Sequence, residues 1–98
     1  MIRNLYLAWG GEQGAKPALL NGAGIARAVE HAHYSGDQPF AHLAKVTVSG
    51  DEATLARVAL RRDTRRIDAD DMIDDTYNLI DAAGAVLDRL TVRLDGRA

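Results

Sequence analysis

Hydrophobic and polar positions alternate over residues 2–9, with Leu5, Leu7 and Trp9 on one face and Asn4, Tyr6 and Ala8 on the other, which predicts a half-buried first strand. The period changes after Leu20. Ile25, Ala28, Val29 and Ala32 fall within one sector at 100° per residue, while Arg27, Glu30 and Tyr34 lie opposite, so residues 22–34 read as a helix resting on a sheet. Asn21 can cap its first turn, Leu20 and Ile25 can form a hydrophobic staple, and Gly36 can take the left-handed closing conformation.

Period two returns at residues 42–48, with Ala44, Val46 and Val48 on one face and Leu43, Lys45 and Thr47 on the other. Ser49-Gly50-Asp51-Glu52 is a plausible hairpin turn. Residues 53–62 admit two readings: a strand pointing Ala56, Val58 and Leu60 to one side, or a helix gathering Leu55, Val58 and Ala59. The turn before them and the apolar alternation favour the strand. Asp68 offers an N-cap for a short helix through about Asp75, with Asp70 and Asp71 near the positive end of its dipole. Two further strands, 77–81 and 86–94, join through Ala82-Ala83-Gly84.

The expected order is β-α-β-β-(α)-β-β, an α+β fold with a mostly antiparallel sheet of about five strands, one main helix on one face and a second short helix. The first strand, helix and second strand could form a right-handed crossover. Ninety-eight residues without repeat or linker are expected to make one domain. The chain has no cysteine, hence no disulfide, thiolate metal site or cysteine nucleophile. Lacking an apolar run near 20 residues, it is expected to be cytoplasmic and not to engage a membrane.

Candidate chemistry is sparse. Gly10-Gly11-Glu12-Gln13-Gly14-Ala15-Lys16 follows a strand, but Ala15 separates Gly from Lys and Pro17 supplies no hydroxyl, so a phosphate loop is not expected. Gly22-Ala23-Gly24 is better explained by close packing than by a dinucleotide fingerprint, because Arg27 takes the third glycine's place. His31 and His33 lie 200° apart on a helix and cannot grip one ion with His42, and the aspartate run 68–75 lacks the calcium-loop pattern. No metal or other cofactor is expected. A small enzyme would need a pocket in which two of Lys16, His31, His33 and His42 converge, and no enzyme is expected.

Net charge is −2, yet the charges are segregated. Arg57, Arg61, Arg62, Arg65 and Arg66 form one block; Asp68, Asp70, Asp71, Asp74 and Asp75 follow it. Such blocks either neutralise one another or face a partner, and they are the expected partner-binding residues, with Arg27, Glu30, Tyr34 and Tyr6 as a secondary surface. The expected function is a small non-enzymatic protein-binding module that docks on a protein or ribonucleoprotein complex. By size and class this is the profile of inhibitors and regulators of phages and mobile elements, anti-CRISPR proteins included. The ten arginines, seventeen alanines and nine glycines suit a bacterial or phage genome rich in G and C. The alternative is a nucleic-acid-binding accessory domain using the arginine block.

Overall fold

The computed structural model describes residues 4–11, 16–36 and 40–97. Six antiparallel strands, β1 (Leu5–Trp9), β2 (Ala18–Leu20), β3 (His42–Ser49), β4 (Glu52–Ile67), β5 (Met72–Asp81) and β6 (Val86–Asp95), form one sheet in the order β2-β1-β3-β4-β5-β6. The sheet curls as a half-barrel, with the helix α1 (Gly22–Ser35) packed along β6 and reaching β2. The α+β class and the main helix are as expected, while the sheet has six strands rather than five. The additional strand, β2, has three residues and follows Pro17, too short for alternation to reveal and placed at an edge where a preceding proline does no harm. Because β1 and β3 are antiparallel neighbours, α1 makes no crossover between them; it links β2 to β3, which lie on either side of β1.

The helix ends as its sequence dictates. Asn21 Oδ1 accepts from the Gly24 N–H at 2.9 Å, and Gly36, at φ 77°, donates its N–H to the Ala32 carbonyl. Ile25 is fully buried against Tyr6, Ala8, Leu43, Leu79 and Leu90, and a second cluster joins Ile73, Val92 and Leu94. Residues 53–62 are strand, within a β4 of 16 residues, and Ala56, Val58 and Leu60 share the helix-facing side.

The short helix at 68–75 is replaced by a tight turn and the start of β5. Asp68 Oδ1 accepts from the N–H groups of Asp70 and Met72 at 2.8 and 3.0 Å, and Asp71 takes φ 63°. An aspartate that caps a helix and one that folds a β-turn use the same side-chain-to-backbone bond. The residues downstream decide, and Ile73, Asp75, Tyr77 and Leu79 alternate with period two. Asp81 repeats the device, accepting from the N–H groups of Ala83 and Ala85 before Gly84 at φ 88°. The 49–52 hairpin has a two-residue turn led by Gly50 at φ 61°, the positive φ a primed turn needs.

Among the described residues the β3–β4 hairpin projects as a two-stranded arm beyond its paired stretches with β1 and β5: β1 pairs β3 as far as Val46, and β5 pairs β4 from Val58. The arm contributes to principal extents of 50 × 29 × 24 Å.

Candidate functional site

Strand register assigns each side chain to a face. The concave face, toward α1, carries Leu20, Tyr6, Ala8, Leu43, Lys45, Val58, Leu60, Tyr77, Asp75, Leu79, Leu90 and Val92. On the opposite, convex face, cross-strand rows run Leu19–Leu7–Ala44–Arg57 and Leu5–Val46–Leu55, with Trp9 beside His42. Thus the more apolar sides of β1 and β3, the ones the alternation picks out, point away from the helix. Leu19, Val48 and Leu55 are 62%, 67% and 57% exposed.

Further along the convex face the chemistry becomes basic. Arg61 and Arg89 flank Asn78, Arg66 and Arg93 flank Asp74, and a row of Thr64, Thr76 and Thr91 lies between. Where the apolar and basic parts meet, Trp9 and His42 stack at 5.2 Å, the Arg57 guanidinium sits 5.9 Å from the Trp9 ring centre, and an Arg57 nitrogen lies 3.3 Å from His42 Nδ1.

A bulge at Asp63 divides the arginine block between the two faces. Register shifts between Arg62 and Thr64, so Arg62 and Arg65 both point to the concave side while Arg57, Arg61 and Arg66 point to the convex side. Arg65 grips Asp75 with two bonds of 2.8 Å, Nε to Oδ1 and Nη2 to Oδ2. The Asp75 side chain is fully buried and that of Arg65 is 36% exposed. The hydrogen bonds from Arg65, outweighing the opposing effect of burial, hold the Asp75 carboxyl below the usual carboxylate range. Asp75 therefore leaves the expected docking residues, because its carboxylate is enclosed and taken. Arg93 reaches Asp74 at 3.5 Å and Asp68 at 3.6 Å, while Asp70 and Asp71 stay exposed at the turn.

The secondary surface needs one correction. Arg27, Glu30 and Tyr34 are exposed, but Tyr6 is fully buried beneath α1; its hydroxyl has no hydrogen-bond partner among the described residues, and burial pushes its pKa up. The Tyr34 hydroxyl accepts from the Asp95 N–H at 2.8 Å and ties the helix end to β6. The 10–16 glycine loop falls largely outside the described residues. No group of three or more possible metal ligands occurs among the described residues.

On the concave face α1 leans toward β6 and leaves a cleft of about 610 Å³ against β3 and β4. His33 and His42 both border it, but His42 lies against Trp9 with Nδ1 toward Arg57. Sequence reasoning missed the cleft, Arg89, Arg93 and the convex apolar rows; the alternation in β1 and β3 was the available signal for the last of these. No protein-family model matches the chain, and neither the curated proteins nor the solved structures supply a match. No helix among the described residues is long and apolar enough to cross a membrane.

Proposed function

We propose that this chain is a non-enzymatic docking module that binds a protein partner through the convex face of its sheet. The observation that carries this reading is the outward orientation of the apolar rows Leu19–Leu7–Ala44 and Leu5–Val46–Leu55. Apolar rows on an uncovered sheet face are costly in water and mark interaction sites. The accessible surface is 6674 Å². That exceeds by about 1,200 Å² the area of a compact chain of this mass, and one side of a standard interface is about 800 Å².

Charge selects the partner's chemistry. Arg57 ends one apolar row, and further along the same face come Arg61 and Arg89 and then, past the threonine row, Arg66 and Arg93 about Asp74, so the complementary surface has an apolar part continued by an acidic one. Occupying such a surface without chemistry is how an inhibitor or regulator of a larger assembly acts.

The Trp9–His42–Arg57 cluster favours a second reading, a nucleic-acid accessory domain, since aromatic and arginine planes stack on bases. Exposed Leu19, Val48 and Leu55 fit a protein surface better than a phosphate backbone.

The test is hydrogen exchange on the complex isolated from the native host, with Arg61→Glu/Arg66→Glu as the control. Protection over Leu5–Trp9, His42–Val48 and Leu55, and loss of the complex in the variant at unchanged thermal midpoint, are expected. Protection confined to α1 or the β6 edge would overturn the reading. Nucleic-acid binding whose salt slope drops by about one per arginine removed would favour the second.

A further inference from the structure

The concave cleft has a different character from the docking face behind it. Its walls come from Val29 on α1, Leu43 on β3, Val58 and Leu60 on β4 and Tyr77 on β5. All but Leu43 are only half-buried, although they belong to the main core cluster. Across the same face Ile73, Leu79, Leu90, Val92 and Leu94 are buried, where α1 packs along β6 and its Ile25, Ala26 and Val29 join their clusters. The cleft is an unfilled part of the core. Its volume of about 610 Å³ lies inside the range of small-molecule pockets, roughly 300–1,000 Å³.

One end of the cleft is polar and held in place. Arg65 lines it, and the paired bonds to buried Asp75 fix the guanidinium through Nε and Nη2. Nη1 has no hydrogen-bond partner among the described residues, so a planar donor edge remains. His33 from the last turn of α1 borders the same cleft. Arg62 faces the same side in register with Tyr77 and is close enough to act on both Asp75 and Tyr77 through its charge. With Asp75 cancelling one arginine, the other leaves this end with net positive charge.

We infer that the cleft between α1 and strands β3–β5 binds a small amphipathic carboxylate, its apolar body against Val29, Leu43, Val58 and Leu60 and its head group at Arg65. A guanidinium already oriented by a buried carboxylate loses little freedom when it binds a second acceptor, and charge-assisted bonds of this kind are the strong ones. A neutral alcohol of equal length gains the apolar contact without the charge.

Octanoate and octanol are the probes, titrated into the whole chain and followed by amide chemical shifts. Octanoate is expected to saturate, moving Val29, Leu43, Val58, Leu60 and Tyr77, and to bind at least about tenfold more tightly than octanol. Leu60→Trp, which fills the cleft and leaves the Arg65–Asp75 pair untouched, is expected to abolish binding. The double change Arg65→Leu/Asp75→Leu, which leaves no unpaired buried charge, is expected to erase the preference for octanoate. Equal affinity for the two probes in the unmodified chain, shifts falling on Leu5, Leu7 and Val46 instead, or no saturable shift at millimolar octanoate would each overturn the inference. The comparison of the two probes needs no variant, so failure of a variant to fold leaves it decisive.

Discussion

The two faces of the sheet differ in a way that their residue types do not announce. The concave face includes Lys45, Asp75, Arg62 and Arg65, yet it holds the core because α1 lies on it. The convex face has Leu5, Leu7, Leu19, Val46, Val48 and Leu55, yet no helix or strand among the described residues covers it. Burial is decided by where α1 is delivered, and Tyr6, Ala8 and Leu43 meet Ile25 there while the larger apolar set is turned away. The core and the proposed docking surface therefore lie on opposite sides of the same strands.

The largest expected effect tests the concave side. Ile25→Asp buries an unpaired carboxylate at the centre of the core and is expected to remove most of a typical stability of about 5–15 kcal/mol, seen as loss of a cooperative thermal transition. A folded Ile25→Asp variant would break the comparison at its root.

Next in size is Arg65→Ala. It leaves the Asp75 carboxylate enclosed without its partner, and a loss of about 3 kcal/mol in denaturant unfolding is expected. The pH dependence follows from the direction of the Asp75 shift. Its folded pKa is depressed, so the pair's contribution is complete above the ordinary carboxylate value near 4 and fades as pH falls through the lower folded value. In Arg65→Ala burial acts on the Asp75 carboxyl without its main opposing partner and raises its pKa, so the gap between the parent chain and the variant is expected to be widest near neutrality, on the order of the figure above, and to close as the solution is made acidic.

Asn21→Ala removes the side-chain acceptor from the Gly24 N–H, and about 1 kcal/mol is expected from the same measurement. Smallest is the effect of Val48→Asp or Leu55→Asp on the convex face, expected within about 0.5 kcal/mol of the parent in thermal unfolding. Either change is nonetheless expected to abolish capture of the partner. A large destabilisation at Val48 or Leu55 would show that the convex face supports the fold and would erase the contrast.

Much of the local structure was legible. The α1 caps at Asn21 and Gly36, the Gly50 hairpin and the 82–84 connection follow from backbone chemistry that acts within a few residues. The 68–75 error arose from chemistry of the same range. Asp68 satisfies nearby N–H groups equally well in a helix or in a turn, and it bends the chain into β5 here. Of the expected docking residues, Arg57, Arg61 and Arg66 reach the convex face together, whereas the bulge at Asp63 sends Arg65 inward to Asp75. A bulge inserts one residue into a pairing, and no period read along a single strand records what its neighbour does.

By itself, then, the sequence determined the α+β class, the span and caps of α1, the strands around residues 5–9, 42–48, 53–62, 77–81 and 86–94, and which residues share a side along each uninterrupted stretch of strand. Those properties rest on backbone geometry and on contacts across three or four residues. Which side of each strand becomes core was decided only in the tertiary structure. It depends on α1 packing along β6, on the curl that opens the cleft beside β4, and on the register that sets Arg65 against Asp75. Each of these joins residues distant along the chain, and alternation is symmetric between the two faces of a strand until another element covers one of them.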